Sequence, residues 1–138
     1  MSTRDIYHQA VKNALEKEGW IITADPLLIK IGGVKLYVDL AAERLIEAER
    51  NNDKIAVEIK SFVAASAISE FHGAVGQFIN YRFALQQKEP ERTLYLAVPW
   101  DVYQTFFSLP FVSKLIENQQ IKLIVYNSTT ELIVTWEN

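Results

Sequence analysis

Apolar residues recur along this chain with two different periods, and each period indicates a different kind of element. Helical spacing predicts one helix over residues 4–18, which Gly19 ends. The same spacing predicts a longer helix over 67–87, which Ser66 caps and which ends before Pro90, because a residue that precedes proline disfavours the helical conformation. Two helices with defined ends are therefore expected.

Alternating and continuous apolar runs predict the strands. Apolar and polar residues alternate over 34–40 and 54–60, as they do in strands that have two different faces. The run at 93–98 is continuously apolar, which is typical of a strand covered on both sides. Residues 121–126 and 131–136 are separated by a short polar loop and predict a hairpin.

Three segments are irregular or ambiguous. Pro26 cannot donate to a β-ladder, so residues 20–31 are expected to form a turn or an edge strand. Residues 41–53 fit a short helix by composition and a long hairpin by position, and both alternatives stay open. Short helical pieces, broken at Pro110, are expected over 100–118.

The order of the elements indicates the fold class. A helix, three strands, a helix, a strand, short helices and a hairpin follow one another, which predicts an α/β or α+β fold with helices packed on a mixed sheet. No repeat and no linker rich in Gly, Pro or Ser divides the 138 residues, so we expect one domain over 1–138.

Composition and charge exclude several kinds of protein. The absence of cysteine excludes disulfides, thiolate metal sites and cysteine nucleophiles. No apolar stretch reaches the roughly 20 residues of a membrane-spanning helix. The polar start does not fit a signal peptide either, so we expect a cytoplasmic protein without membrane contact. With 14 basic against 17 acidic residues, the net charge of −3 means that any DNA contact must come from a local basic face.

Two carboxylates and a lysine are predicted to converge on one patch of the sheet. In the strand over 54–60, alternation places Glu58 and Lys60 on one face. In the strand over 34–40, it places Leu36, Val38 and Leu40 on one face and leaves Asp39 on the other. If these strands are neighbours in matching orientation, the three side chains meet.

Such a patch has two interpretations. Neighbouring carboxylates repel each other, and a divalent cation such as Mg²⁺, which prefers oxygen ligands, removes that conflict. A lysine beside it can position or help deprotonate an attacking water, while the metal stabilises charge on a phosphate. The spacing also fits a plain ion pair of Lys60 with Glu58 or Asp39 on a solvated sheet face.

A second set of candidates lies on the helix predicted over 67–87. Gln77 and Tyr81 are four residues apart and share a face, which differs from the apolar stripe containing Phe71 and Phe78. That face could reach over the carboxylate patch. Alternatively, Tyr81 is a core aromatic residue and Gln77 a surface amide.

The candidate residues resemble a known signature. The chain resembles the D…ExK…QxxxY pattern of PD-(D/E)xK nucleases through Asp39, Glu58, Lys60, Gln77 and Tyr81. Over almost its whole length it closely resembles the XisH family, the cyanobacterial fdxN-element excision controlling factors. The stretches that carry this second, more specific resemblance are DIYHQAVKNALEKEGW, KIAVEIKSF, EFHGAVGQFINYRFAL and LYLAVPWDVY.

The resemblance implies a restriction-endonuclease-like core and a set of roles. It implies that Asp39 and Glu58 bind Mg²⁺ or Mn²⁺ and that Lys60 is the catalytic lysine. Gln77 and Tyr81 would support the site or touch DNA. The implied partners are DNA, a site-specific recombinase and an XisI-type protein. A homodimer is expected if the protein cuts duplex DNA, because that reaction needs two sites.

His8 departs from the superfamily pattern. Counted back from Gly19, it takes the position at which archaeal Holliday-junction resolvases of this superfamily carry a metal-binding acid. An imidazole can ligate a metal, but Mg²⁺ prefers oxygen donors. His8 is therefore open to four readings: a ligand that biases the site toward Mn²⁺, a proton carrier, a mark of lost activity, or a helix histidine with an ordinary hydrogen bond.

Two functions of different classes follow. The first is a controlling factor for excision of a DNA element, built on a metal-dependent endonuclease-like fold that cleaves DNA with Asp39, Glu58 and Lys60. The second is a catalytically inactive regulatory protein that kept this fold and binds a recombinase, XisI or DNA.

Overall fold

A computed structural model of the chain describes residues 5–46 and 51–138, which form four helices and eight strands. In chain order the elements are α1 (His8–Lys17), β1 (Ile21–Ala24), β2 (Leu27–Ile31), β3 (Val34–Val38), β4 (Leu40–Ile46), β5 (Asn51–Ile59), α2 (Ala67–Lys88), β6 (Arg92–Pro99), α3 (Trp100–Thr105), α4 (Pro110–Asn118), β7 (Leu123–Asn127) and β8 (Leu132–Glu137).

A six-stranded mixed sheet holds these elements together in the order β1-β4-β5-β6-β7-β8. The β5, β6 and β7 strands are parallel to one another, and the pairs on either side of them are antiparallel. The β2 and β3 strands form a separate antiparallel hairpin. This arrangement confirms the predicted α+β class, a mixed sheet flanked by helices.

The β5 strand divides the core into two layers because its side chains alternate between the two faces of the sheet. Ile55, Val57 and Ile59 are buried with Val11 and Leu15 of α1. The intervening Ala56 is buried on the opposite face. The partners of Ala56 in that second layer include Phe71 and Phe78 of α2 and Val38 at the end of β3.

The two long helices match their predictions to different degrees. Helix α2 begins after Ser66, whose Oγ accepts a hydrogen bond of 3.3 Å from the backbone N–H of Ser69, as expected of a cap. It ends at Lys88. Helix α1 runs from His8 to Lys17, so residues 5–7 of the predicted helix are not helical, and residue 4 lies outside the described part of the chain.

Two of the three irregular or ambiguous segments form strands, while residues 100–118 form the short helices α3 and α4 as predicted. In the segment predicted as a turn or an edge strand, β1 forms the edge of the main sheet and β2 begins the hairpin. Between 41 and 53, β4 continues to Ile46 and β5 begins at Asn51, so the hairpin alternative holds there. Residues 47–50 lie outside the described part of the chain. Pairing with a strand on each side decided this segment, because its composition alone also suits a helix.

The strand predicted over 34–40 is divided at Asp39. Val38 still pairs with Leu27 of β2, whereas Leu40 pairs with Val57 of β5. Val38 is buried in the layer beneath α2, and Leu40 in the layer beneath α1. The predicted single apolar face through Leu36, Val38 and Leu40 is therefore wrong, since the chain changes its pairing partner at Asp39.

None of the helices in the described ranges is long and apolar enough to cross a membrane.

Truncating Phe71 is expected to destabilise the fold. Its side chain is 0% exposed, and Phe71→Ala removes contacts that the surrounding α2 layer cannot fully replace. We expect a loss of about 3–5 kcal/mol in the free energy of unfolding, measured by urea denaturation. The matched control is Phe111→Ala on α4, where the side chain is 62% exposed and the loss should stay within about 0.5 kcal/mol. Equal losses in the two variants would contradict the assigned core.

Candidate active site

Asp39 and Glu58 lie beside each other at the junction of β4 and β5. Leu40 pairs with Val57, so one step further along the two strands Asp39 comes opposite Glu58. The backbone N–H of Ile59 donates to Asp39 Oδ2 at 2.7 Å. The backbone N–H of Asp39 donates to Glu58 Oε1 at 3.3 Å. These bonds hold both carboxyl groups in one place.

Glu58 is buried although it is acidic, with 5% of its surface exposed. Burial, together with the nearby charge of Asp39, raises the pKa of Glu58 to about 8, and the positive charge of Lys60 opposes this shift only in part. Lys60 Nζ lies 3.8 Å from Glu58 Oε2. The structure thus brings together the carboxylates and the lysine that the strand pattern placed on one patch, and it buries Glu58 rather than leaving it on a solvated sheet face.

Helix α2 contributes Tyr81 and Gln77 on the same side of the sheet. Burial, and then the charges of Glu58 and Asp39, raise the pKa of Tyr81 to about 12. One turn earlier, Gln77 Oε1 is buried and accepts no hydrogen bond. An unpaired buried amide oxygen is costly, and a bound donor such as a water would satisfy it.

His8 has a different partner. Its Nε2 lies 2.8 Å from Asp25 Oδ1, and Lys12 Nζ lies 2.9 Å from the other oxygen of that carboxylate. Burial tends to raise the pKa of Asp25, but the hydrogen bonds from Lys12 and His8 outweigh it and hold the pKa below its usual value. His8 Nδ1 is buried without a hydrogen-bond partner.

Two acids that were not among the predicted site residues support the segment after Lys60. Asp5 Oδ2 accepts from the backbone N–H of Ser61 at 2.7 Å. Glu70 accepts from the N–H groups of Phe62 and Ala64 at 3.2 and 3.3 Å. Phe62 has a φ of 57°, a left-handed conformation that is strained for an aromatic residue, so these bonds hold an unfavourable turn. They depend on tertiary contacts, which no local pattern reveals.

The donor set fits a hard divalent cation. Mg²⁺ commonly takes one or two carboxylates and completes its shell with waters and substrate phosphate. Asp39 and Glu58 supply two such carboxylates, and the pKa of Glu58 is raised because no charge fully offsets its burial. In the part of the chain that the structure describes, no three His, Asp or Glu side chains cluster as metal ligands, so the site offers these two.

A family model and two solved structures match this chain, and their names agree. The family model described as "XisH protein" matches residues 1–134. The chain is 55% identical to an XisH family protein from Nostoc punctiforme PCC 73102, over 97% of this chain and all of that one, with a TM-score of 0.89. It is 54% identical to an fdxN element excision controlling factor protein from Anabaena variabilis, over 98% of this chain and all of that one, also with a TM-score of 0.89. No curated protein matches the chain.

Replacing Glu58 by Gln is expected to remove a pH-dependent loss of stability in metal-free buffer. The pKa of this carboxyl is about 8 in the folded protein against 4.5 ordinarily, so the folded state keeps a proton that the unfolded chain releases at intermediate pH. As the pH rises between these values, the free energy of unfolding of the wild type should fall relative to Glu58→Gln. The fall is on the order of 1 kcal/mol per pH unit and is measurable by urea denaturation.

The matched control for this experiment is Glu16→Gln, at an exposed position on α1. Its pH profile should run parallel to that of the wild type. A Glu58→Gln profile that also runs parallel to the wild type would show that Glu58 titrates normally.

Proposed function

The chain belongs to the XisH family, and from this premise we propose that it is a controlling factor in the excision of a DNA element. The support is its 54% identity, over the full length of that chain, to the fdxN element excision controlling factor protein. Family membership alone leaves the chemistry open. The residues around Glu58 support a more specific proposal.

We propose further that the site acts on DNA as a metal-dependent phosphodiesterase. The observation that carries this proposal is the buried Glu58 beside Asp39, with a lysine 3.8 Å away. Burying one carboxyl group beside another without a compensating cation lowers stability, and perturbed carboxyl groups of this kind concentrate at functional sites. Binding of a cation together with a phosphate would compensate the charge of these carboxyl groups and would account for the arrangement.

Each residue then has a distinct role. Asp39 and Glu58 would hold Mg²⁺ or Mn²⁺, and when bound the ion supplies a Lewis acid that acidifies water and offsets charge on the phosphate. Lys60 would orient the attacking water or the phosphate with its ammonium group. Gln77 and Tyr81 would steady the bound water and phosphate with their amide and hydroxyl groups. Hydrolysis adds one water across one P–O bond and needs no oxidant.

A second candidate function is regulation without cleavage. It is favoured by the position of His8, which forms a hydrogen bond with Asp25 rather than adding a third ligand to the two carboxylates. In that case the protein would act through contacts with DNA, a site-specific recombinase or an XisI-type protein. A homodimer belongs to the cleavage proposal, because cutting both strands of a duplex needs two sites.

Lys60→Ala is expected to slow metal-dependent DNA cleavage strongly. The test incubates supercoiled, linear and branched DNA with Mg²⁺ or Mn²⁺ and follows product formation on gels. Loss of the water-orienting ammonium should lower the cleavage rate by about 10²-fold or more. The matched control is Lys114→Ala at an exposed position on α4, which should cleave like the wild type. Wild-type cleavage no faster than that of Lys60→Ala, with both metals and all substrates, would contradict the phosphodiesterase.

Asp39→Asn is expected to separate catalysis from regulation. The change preserves the shape of the side chain but removes one charged ligand, so excision should be lost while the protein still folds and still co-purifies with a recombinase or XisI-type partner. Excision of a reporter element measures the first property, and circular dichroism and co-purification measure the others. Full excision by this variant would favour the regulatory function.

A further inference from the structure

The β2–β3 hairpin has one buried face and one exposed face. On the inner face, Ile29 and Val38 are buried against the α2 layer. On the outer face, Leu28 lies opposite Tyr37 and Lys30 lies opposite Lys35, and all four side chains are exposed. The hairpin therefore packs against the core with its inner face only, and its outer face is available to a ligand.

Two like charges face each other on that outer side. Residues directly opposite in an antiparallel pair have Cβ atoms about 4.5–5.5 Å apart, and like charges at this distance destabilise the pair. Lys88, at the end of α2, lines the same shallow groove as Lys30, Lys35 and the Gly32-Gly33 turn. Among the described residues, no acid forms an ion pair with any of these three lysines.

Three other lysines among the described residues form ion pairs with acids. Lys12 pairs with Asp25, Lys54 with Glu91 and Lys60 with Glu58, as the ion pairs of the described residues show. The whole chain carries a net charge of −3. A patch of three unpaired lysines, two of them held against each other, is thus a local positive surface on an acidic protein.

This surface lies close to the Asp39–Glu58 site along the chain. The β3 strand runs from Lys35 through the exposed Tyr37 to Val38, and Asp39 is the next residue. At about 3.3 Å per residue, Lys35 is roughly 13 Å of strand from Asp39. Phosphates recur every 3.4 Å of helix axis in each DNA strand, so this is about four base pairs of duplex.

We propose that the outer face of the β2–β3 hairpin, with Lys30, Lys35 and Lys88, binds backbone phosphates of duplex DNA next to the Asp39–Glu58 site. The choice of DNA as the ligand rests on the proposed function. Phosphates relieve the repulsion between the two facing lysines, and contacts of this kind are independent of sequence. The hairpin then positions the duplex, while the residues around Glu58 act on it.

Salt dependence of DNA binding tests the proposal. Fluorescence anisotropy of a labelled duplex in EDTA measures the dissociation constant over a range of salt concentrations, so that cleavage does not interfere. The double variant Lys30→Gln/Lys35→Gln should bind on the order of tenfold more weakly, and the slope of log affinity against log salt should fall by about two. The matched control, Lys114→Gln/Lys122→Gln, removes the same charge outside the hairpin and should leave both quantities unchanged.

A charge reversal separates binding from folding. Lys30→Glu places an acid opposite Lys35, so the hairpin gains a cross-strand ion pair and the melting temperature should stay equal or rise. DNA binding should nevertheless weaken more than in Lys30→Gln. A weakened affinity with an unchanged or higher melting temperature supports the proposal, because a misfolded hairpin would lower the melting temperature.

The remaining outcomes overturn the proposal. Equal losses of affinity in the hairpin and control variants would show a general charge effect, and unchanged affinity in the hairpin variants would place DNA elsewhere. Absence of wild-type DNA binding, with Lys30→Glu losing an acidic protein partner in co-purification, would identify a protein ligand instead. DNA binding through the hairpin without any metal-dependent cleavage would uphold this inference while contradicting the phosphodiesterase.

Discussion

Asp39 and Glu58 lie side by side because Leu40 pairs with Val57, and this register of β4 against β5 brings two carboxyl groups together on the α2 side of the sheet. Because Glu58 is buried, water does not screen the repulsion between the two carboxyl groups. Glu58 therefore either keeps its proton to a high pH or needs a cation beside it. Lys60 is too distant, at 3.8 Å, to form a close hydrogen bond. The chemistry and the pH response proposed for the site both depend on this one register.

The change of pairing partner at Asp39 connects two different surfaces. Before this residue the chain belongs to the hairpin, whose outer face carries Lys30 and Lys35, and after it the chain enters the main sheet beside Glu58. A single residue therefore joins the surface that we assign to DNA and the carboxylates that we assign to the reaction. The acidic balance of the whole chain is compatible with DNA binding because the two kinds of charge occupy separate places.

Sequence patterns predicted the elements whose signal is local. Alternation placed Glu58 and Lys60 on one face of a central strand, and Ser66 marked the start of α2. The prediction of one strand over 34–40 was wrong. Apolar residues alternate without interruption past Asp39, so the change of pairing partner there is visible only from the different layers that bury Val38 and Leu40. The burial of Glu58, the Asp25 partner of His8 and the basic face of the hairpin arise from residues distant in sequence, so periodicity could not show them.

The segment that follows Lys60 is held from two directions in the chain. Asp5, before α1, accepts from Ser61, and Glu70, in α2, accepts from Phe62 and Ala64. The turn after Lys60 is therefore held both by a residue that precedes α1 and by a residue within α2. A chain that has completed β5 but not α2 lacks the two hydrogen bonds that Glu70 accepts, so this turn gains most of its restraints only when α2 is in place. The placement of Lys60 that the proposed phosphodiesterase needs therefore depends on α2 as well as on the sheet.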